Sequence, residues 1–195
     1  MKQEKQLKKI IQFIAEAGML KRVLRSGWSV LGIKAAESVA DHSFRCAVLG
    51  YVLAQMEKIP PYKVLLMTLF NDIHEARITD LHKMAQTYID TEAAEDTCYE
   101  KQVYSLPLAM RTELGSLRCE YRKQCSRESI VARDADILEC LIQAKEYQEH
   151  GFRQAAKFMH KAPKFLKTKS AKKIWQLAKV SALNDWWFHL SDFKR

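Results

Sequence analysis

One stretch constrains the fold of this chain more than any other: an apolar helical run that passes directly into ionisable residues. After Pro60-Pro61 comes a segment that is apolar on nearly every face of a helix, which predicts a helix in the core. Its apolar residues are Val64, Leu65, Leu66, Met67, Leu69, Phe70 and Ile73. Segment 70–80 then reads Phe-Asn-Asp-Ile-His-Glu-Ala-Arg-Ile-Thr-Asp. Burying an unpaired charge costs several kcal/mol, so its five ionisable residues need partners. The pattern therefore predicts a polar site inside an apolar core.

Two further predicted helices bring polar residues toward the same core. Ser38-Val39-Ala40-Asp41 forms a capping-box pattern that opens a helix, with His42 in or near its first turn. Residues 127–149 form a second strongly apolar helix, which carries Asp136. Together with the 62–76 helix, these segments are expected to meet around one site.

Composition and length favour a single all-α domain over residues 1–195. Six glycines and four prolines are too few for a disordered or turn-rich all-β chain, and 195 residues fit one domain. More polar helical segments at 92–106 and 108–124 should cover the core, whereas residues 25–37 have no sustained periodicity and predict a loop.

Charge and cysteine content narrow the partners and the compartment. The formal net charge of +9 favours anionic or phosphorylated partners. The five cysteines form no Cys-x-x-Cys pair, which argues against a disulfide framework or a thiolate zinc site. No stretch approaches the length of a membrane span, and the first 20 residues lack the uninterrupted apolar run and small-residue cleavage site that are typical of a signal peptide. A reduced, cytoplasmic setting is expected.

The candidate site combines residues from three predicted helices. Asp72 and Glu75 are three positions apart and can point toward one spot, where a cation would offset their repulsion. His42 and Asp136 add an imidazole and a carboxylate, which are common metal ligands. Each residue alone has an ordinary alternative: Asp136 can pair with Arg133 or Lys145 on the surface, and His42 can be a mere neighbour of the cap. A His-Glu-x-x-His zinc protease is excluded, because no second histidine follows at that spacing.

The order His42, Asn71-Asp72, Asp136 resembles the metal-ligand pattern of the HD-domain phosphohydrolases. Five segments are similar to the branch that contains the bacterial 5′-deoxynucleotidases and their eukaryotic HD-domain relatives: Leu20–Val23, Arg25–Trp28, Glu37–Ser43, Glu75–Leu81 and Arg133–Asp136. The resemblance covers nearly the whole chain. It implies an all-α HD-domain bundle around one divalent metal ion.

The resemblance also implies a ligand set, with one departure from the family pattern. The ligands would be His42, Asn71, Asp72 and Asp136, but family members carry histidine where this chain has Asn71. An amide oxygen in place of an imidazole nitrogen should weaken binding of Co²⁺, Ni²⁺ or Zn²⁺ more than binding of Mn²⁺ or Mg²⁺. Nearby His74 is expected to line the pocket rather than to replace the missing ligand.

By the same resemblance, four further residues receive roles in catalysis and substrate binding. Glu75 would orient or deprotonate the attacking water, and Asp80 would contact the nucleotide sugar. Arg25 would bind phosphate, and Trp28 would contact base or sugar. Two alternatives stay open, because Asp80 can cap the following turn and Trp28 can be a plain core aromatic.

The sequence therefore predicts a metal-dependent phosphohydrolase that acts as a 5′-nucleotidase on (deoxy)nucleoside monophosphates, impaired to some degree by Asn71. One alternative is a weak or inactive nucleotide-binding relative. The other is a basic helical nucleic-acid-binding protein, suggested by Arg153 and eight lysines among aromatic residues at 153–179. Nucleic-acid binding is disfavoured, because these charges fall at several helical phases and no reading motif accompanies them. A homodimer is left open.

Overall fold

The computed structural model describes residues 2–188 and 190, and over those residues it is helical with no β-strand. Eleven α-helices lie in that part of the chain: α1 Lys2–Ala17, α2 Ser26–Ser29, α3 Val39–Met56, α4 Pro61–Phe70, α5 Glu75–Ile78, α6 Lys83–Gln86, α7 Thr91–Val103, α8 Leu108–Lys123, α9 Arg127–Glu149, α10 Ala156–Lys161 and α11 Lys169–Ala178. Short 3₁₀ turns connect several of them. The predicted all-α class is confirmed.

Helices α3, α4 and α9 pack against one another and form the centre of the molecule. Leu53, Val64 and Leu138 are among the fully buried side chains at their contacts. Gly50 lets α3 approach α4 closely, since a methyl group at this position would lie 3.0 Å from Cγ1 of Val64. The three helices predicted to meet around the site are thus in contact.

Local signals placed most helix ends correctly. The Ser38–Asp41 capping box is present at the start of α3, because each residue hydrogen-bonds the other's backbone N–H. Helix α9 spans the predicted residues 127–149, and α7 and α8 lie on either side of Pro107. Side chains from α7 and α8 complete the core, as predicted for covering helices.

Two predicted boundaries were wrong. The helix expected over 62–76 ends at Phe70, and a turn separates it from α5. The predicted loop at 25–37 contains α2, whose first residue Ser26 is held by a side chain from the distant residue Asp80. None of the described helices combines the length and apolar character that a membrane crossing demands.

Candidate metal centre

His42 is placed by the capped start of α3 and is almost fully buried, with 1% of its surface exposed. Its Nδ1 hydrogen-bonds the carboxylate of Glu139 on α9. Arg45, one turn along α3, donates from Nε to the other Glu139 oxygen at 2.9 Å, which keeps that carboxylate charged. A carboxylate that accepts from Nδ1 orients the ring and directs Nε2 toward the opposite side, as in many metal-binding histidines.

Nε2 of the His42 ring faces the carboxylate of Asp136. Asp136 Oδ1 lies 3.1 Å from Nε2, while Asp136 Oδ2 accepts hydrogen bonds from Arg133 at 2.7 Å and from Tyr121 at 3.3 Å. Burial raises the pKa of Asp136, but Arg133 and His42 hold it well below its usual value. The surface pairing with Arg133 therefore exists, yet it accompanies the contact with His42 rather than replacing it.

Asp72 approaches the same nitrogen from the turn between α4 and α5. Its Oδ2 lies 3.6 Å from His42 Nε2 and 3.8 Å from Nη1 of Arg25. The carboxylates of Asp72 and Asp136 thus come from different elements and face one imidazole. Each carboxylate contacts the His42 ring, and their joint binding of one ion with His42 stays a prediction.

The site favours positive charge at His42 Nε2. Burial alone lowers the pKa of His42, but the Asp136 carboxylate beside Nε2 is among the groups that raise it well above its usual value. A nitrogen lone pair facing carboxylates is stabilised either by a proton or by a metal cation. His42, Asp72 and Asp136 therefore fit a divalent ion in their chemistry.

Asn71 does not present its amide oxygen as the predicted ligand set requires. Its Nδ2 donates to Asp72 Oδ1 at 2.6 Å, and its Oδ1 accepts from Nη1 of Arg118 at 3.2 Å. The same Arg118 nitrogen also donates to the Asn71 carbonyl at 2.9 Å. Reversing the amide would set oxygen against carboxylate and NH₂ against guanidinium, so the network fixes its orientation. The Asn71 oxygen therefore faces Arg118, and its amide nitrogen is the group that faces Asp72.

His74 lies beside this network. Its Nδ1 contacts the Asn71 carbonyl at 3.1 Å, and its Nε2 lies 3.8 Å from Glu95. Burial lowers the pKa of His74. A neutral imidazole with these contacts supports the turn, which agrees with the expectation that His74 does not replace the missing family ligand.

Glu75 is the first residue of α5 and is 8% exposed. Its Oε2 is buried and has no hydrogen-bond partner in the described part of the chain. Burial, together with the negative charges of Asp72 and Asp80, raises the pKa of Glu75 to about 10. A carboxyl group with an unpaired oxygen beside other acidic groups is suited to proton transfer once a positive charge offsets its neighbours.

The predicted substrate residues lie in and near the loop that precedes α3. Arg25 reaches Asp72 from one side of its guanidinium and donates to Sγ of Cys140 at 3.4 Å from the other. Asp80 accepts from the backbone N–H of Ser26 at 2.6 Å, so it caps the start of α2 from a distance. The contact ties the Arg25 loop to the segment that carries Glu75.

Trp28 occupies a core position. It is 3% exposed, its ring contacts Tyr147 and Phe158 with centroid distances of 5.1 and 4.8 Å, and its Nε1 donates to Glu37 at 2.9 Å. This is the plain aromatic role that the sequence left open for Trp28. A stacking contact with a base or sugar stays a prediction.

The sequence prediction did not include every residue of the site, although the spacing along the helices could have indicated two of those it left out. Cys46 follows His42 by four positions, and Glu139 follows Asp136 by three, so each shares a helix face with a predicted ligand. Arg118 had no such signal, because its contact with Asn71 joins two residues that are 47 positions apart.

Comparison with known proteins places this arrangement in a family. The model of the HD domain matches residues 17–177. The chain belongs to the HD-domain family. This HD-domain protein is 30% identical to the 5′-deoxynucleotidase HDDC2 of Homo sapiens over 141 residues, which cover 72% of this chain and 69% of the relative. It is also 30% identical to HDDC2 of Xenopus laevis, over 73% of this chain and 71% of the relative.

Solved structures share the fold. A protein from Pyrococcus horikoshii is 32% identical, with a TM-score of 0.76 over 87% of this HD-domain protein and 98% of the other chain. A predicted metal-dependent phosphohydrolase from Magnetospirillum magnetotacticum has a TM-score of 0.68 over 90% of this chain and 91% of its own, at 22% identity. The second likeness concerns the fold alone.

Proposed function

We propose that this HD-domain protein is a metal-dependent phosphohydrolase that releases the 5′-phosphate of nucleoside monophosphates, with deoxynucleotides as the preferred substrates. The observation that carries the proposal is the imidazole of His42, oriented by Glu139 so that Nε2 faces the carboxylates of Asp72 and Asp136. The relatives named 5′-deoxynucleotidase support the choice of substrate class.

A divalent ion would be held by His42, Asp72 and Asp136, with Mn²⁺, Co²⁺, Mg²⁺, Ni²⁺ and Zn²⁺ as candidates. When bound, such an ion supplies Lewis-acid charge for a phosphoryl oxygen. The Asn71 oxygen accepts a hydrogen bond from Arg118, so we rank Asn71 below His42, Asp72 and Asp136 as a metal ligand.

Arg25 and Glu75 supply the remaining chemistry of the proposed reaction. The guanidinium of Arg25 offers paired N–H donors suited to two phosphate oxygens, and it lies beside Asp72 where that phosphate would sit. Once a bound cation offsets the charges of Asp72 and Asp80, the ionised Glu75 carboxylate can accept the proton of the attacking water as its oxygen bonds to phosphorus and the bond from phosphorus to the 5′-oxygen breaks. Asp80 and Trp28 keep their predicted contacts with sugar and base as part of the proposal.

The test is phosphate release from 5′-monophosphates of the four bases in ribo and deoxy form, by chelator-treated protein with and without each metal ion. We expect release only with metal, faster with deoxynucleotides. Metal content measured on the same samples connects activity with occupancy. Nucleotide binding without phosphate release under any metal would overturn the proposal.

A nucleotide-binding protein without strong catalysis is the second candidate. The observation in its favour is Asn71, whose amide is engaged on both sides and offers no imidazole. The nucleic-acid alternative has less support. All eight lysines of 153–179 are exposed, as expected for solvated helix faces.

The proposal also includes the cellular compartment and the oligomeric state of the protein. All five cysteines are free thiols, which supports the predicted reduced, cytoplasmic environment. The homodimer left open by the sequence stays a prediction.

A further inference from the structure

A buried thiol stands next to the imidazole of the candidate metal centre. Cys46 lies one turn after His42 on α3, so both side chains share one helix face. It is 2% exposed, and its Sγ is 3.4 Å from His42 Nε2. The mechanism proposed above gives this thiol no role.

His42, Cys46 and Asp136 each offer one ligand atom, and these three atoms lie within 4.8 Å of one another. Two donors on one tetrahedral zinc-type ion, with bonds of about 2.0–2.3 Å, are roughly 3.5 Å apart. The observed separations from Nε2 are 3.4 Å to Cys46 Sγ and 3.1 Å to Asp136 Oδ1. These two separations have the size of edges of a coordination polyhedron. Because Sγ also lies 3.8 Å from Nδ1, the Cys46 side chain must turn about χ1 to share an ion with the Nε2 lone pair.

Asn71 stands where members of the family carry a histidine, so this chain lacks one imidazole donor of the family pattern. The Asn71 oxygen is held by Arg118, so the ligand atoms nearest His42 Nε2 include a thiol and a carboxylate rather than an amide. Thiolate, imidazole and carboxylate together suit Zn²⁺ or Co²⁺ better than Mg²⁺.

The other nearby thiol is less suited to this role. Cys140 forms a second group with His42 and Glu139. There, however, Glu139 is already bound by Arg45, and Cys140 Sγ accepts from the Arg25 guanidinium. A cation at that place would meet two guanidinium groups, which makes Cys140 the natural control.

We propose that Cys46 is a metal ligand in this chain, so that His42, Cys46 and Asp136 form a nitrogen–sulfur–oxygen centre selective for Zn²⁺ and Co²⁺. Binding replaces the thiol proton, which passes to solvent, by a metal–sulfur bond. This inference rests on the metal centre of the proposed function, but its test does not use activity.

The test is the absorption spectrum of the Co²⁺-loaded protein. Exposed Cys119 and Cys125 are first replaced by serine, so that surface thiols do not contribute. Chelator-treated protein is then titrated with Co²⁺ alone. We expect an intense near-ultraviolet charge-transfer band of a cobalt–thiolate bond, which Cys46→Ser removes and Cys140→Ser retains.

Metal affinity gives a second measurement. Cys46→Ser should lower Zn²⁺ affinity about tenfold or more while changing Mn²⁺ affinity little, because oxygen suits Mn²⁺ better than Zn²⁺. Thermal unfolding of the metal-free variants checks that the serine proteins fold.

The outcomes separate this inference from the proposed function. Co²⁺ binding without the band in the parent protein, or a band that persists in Cys46→Ser, overturns ligation by Cys46. If phosphate release persists in that case, the proposed function stands without it. A folded parent protein that binds neither Co²⁺ nor Zn²⁺ overturns ligation by Cys46, and one that binds none of the five candidate ions overturns the proposed function as well.

Discussion

The side-chain amide of Asn71 connects two charged residues at the candidate metal centre. Asn71 donates to Asp72 and accepts from Arg118, so it fastens an acidic ligand candidate to a cation on α8. An imidazole at the same place would carry a nitrogen lone pair, which can bind a metal ion. The difference between the two side chains is therefore testable by one substitution.

We expect Asn71→His to raise the affinity for Co²⁺, Mn²⁺ or Zn²⁺ about tenfold or more and to increase phosphate release, because it adds an imidazole ligand. Calorimetric titration with each metal, beside hydrolysis at saturating metal, measures both effects. Asn71→Ala is the matched control, since it removes the amide without adding a ligand. Tighter metal binding without faster hydrolysis would favour the nucleotide-binding candidate, and no gain in either would show a pocket built around asparagine.

We expect Glu75→Gln to lower kcat by about 10²–10⁴ while leaving metal content unchanged, because its proposed task is proton transfer. The melting temperature of the metal-free protein at pH 7 should change little, since a carboxyl group with a pKa of about 10 is already neutral there and glutamine resembles it in shape. Phosphate release, metal analysis and thermal unfolding check the three parts. Loss of metal in parallel with activity would instead make Glu75 a ligand.

Arg25→Ala should raise KM for a nucleoside monophosphate about tenfold to a hundredfold, through loss of charge-assisted hydrogen bonds to phosphate. Arg25→Lys is the matched control, because it keeps the charge and loses the paired donors. Steady-state kinetics at saturating metal measure the effect. An unchanged KM in Arg25→Ala would remove this residue from the substrate site.

At the scale of elements, α9 carries buried acidic residues with separate tasks. Asp136 and Glu139 face His42, whereas Asp134 accepts from the backbone N–H groups of Lys167 at 2.9 Å and Thr168 at 2.6 Å. Asp134 thereby holds the chain just before α11 against the core. One helix thus supports both the site and the C-terminal part of the described fold.

Asp134→Ala should lower the free energy of unfolding by about 2–4 kcal/mol, because it leaves two backbone N–H groups without their carboxylate partner. Thr168→Ala, which removes only the side-chain cap of α11, should cost about 1 kcal/mol. Urea unfolding of the metal-free proteins measures both. Equal losses in the two variants would contradict the anchoring role of Asp134.

The long helices α3 and α9 were predictable from local signals, but α2 and the break after α4 were not. The Ser38–Asp41 box and the apolar periodicity of 127–149 act within a few residues, so the sequence contains them in full. The turn after Phe70 depends on Asn71, whose carbonyl and amide oxygen are both satisfied by Arg118 from another helix. Such long-range partners compete with helical hydrogen bonds and leave no local pattern.

The same reasoning applies to the candidate site. His42, Asp72 and Asp136 could be proposed because buried ionisable residues in apolar helices need partners. Their surroundings could not, since the contacts of Arg45 with Glu139 and of Arg25 with Asp72 depend on how α3, the preceding loop and α9 dock. Family resemblance supplied roles, whereas the structure supplied the orientation of each side chain.

At the scale of the whole molecule, the half-buried Glu37 links stability to pH. Burial and the nearby Glu139 raise the pKa of Glu37 to about 7 from an ordinary value of 4.5. The folded protein thus holds this proton more tightly than the unfolded chain. Stability from this group is full below pH 4.5, falls as the pH rises to about 7, and is constant above that.

Glu37→Gln should therefore raise the free energy of unfolding of the metal-free protein at pH 8 by about 2 kcal/mol and leave it nearly unchanged at pH 4.5. Glutamine keeps an oxygen that can accept from Trp28 Nε1, so the core contact persists. Urea unfolding at the two pH values, in parallel with the parent protein, measures the difference. An equal gain at both values would assign the effect to packing rather than to ionisation.

His42 and Asp136 are 94 positions apart, and this distance along the chain has a kinetic consequence. The segment between them must be closed into a loop before the two side chains meet, which makes their pairing a late event during folding. An ion that binds them together can recognise the native chain but hardly any earlier species. At a hundred times its dissociation constant it would add about 2.7 kcal/mol to native-state stability. Depletion of metal would then expose the whole protein, and not only its catalytic pocket, to proteolysis.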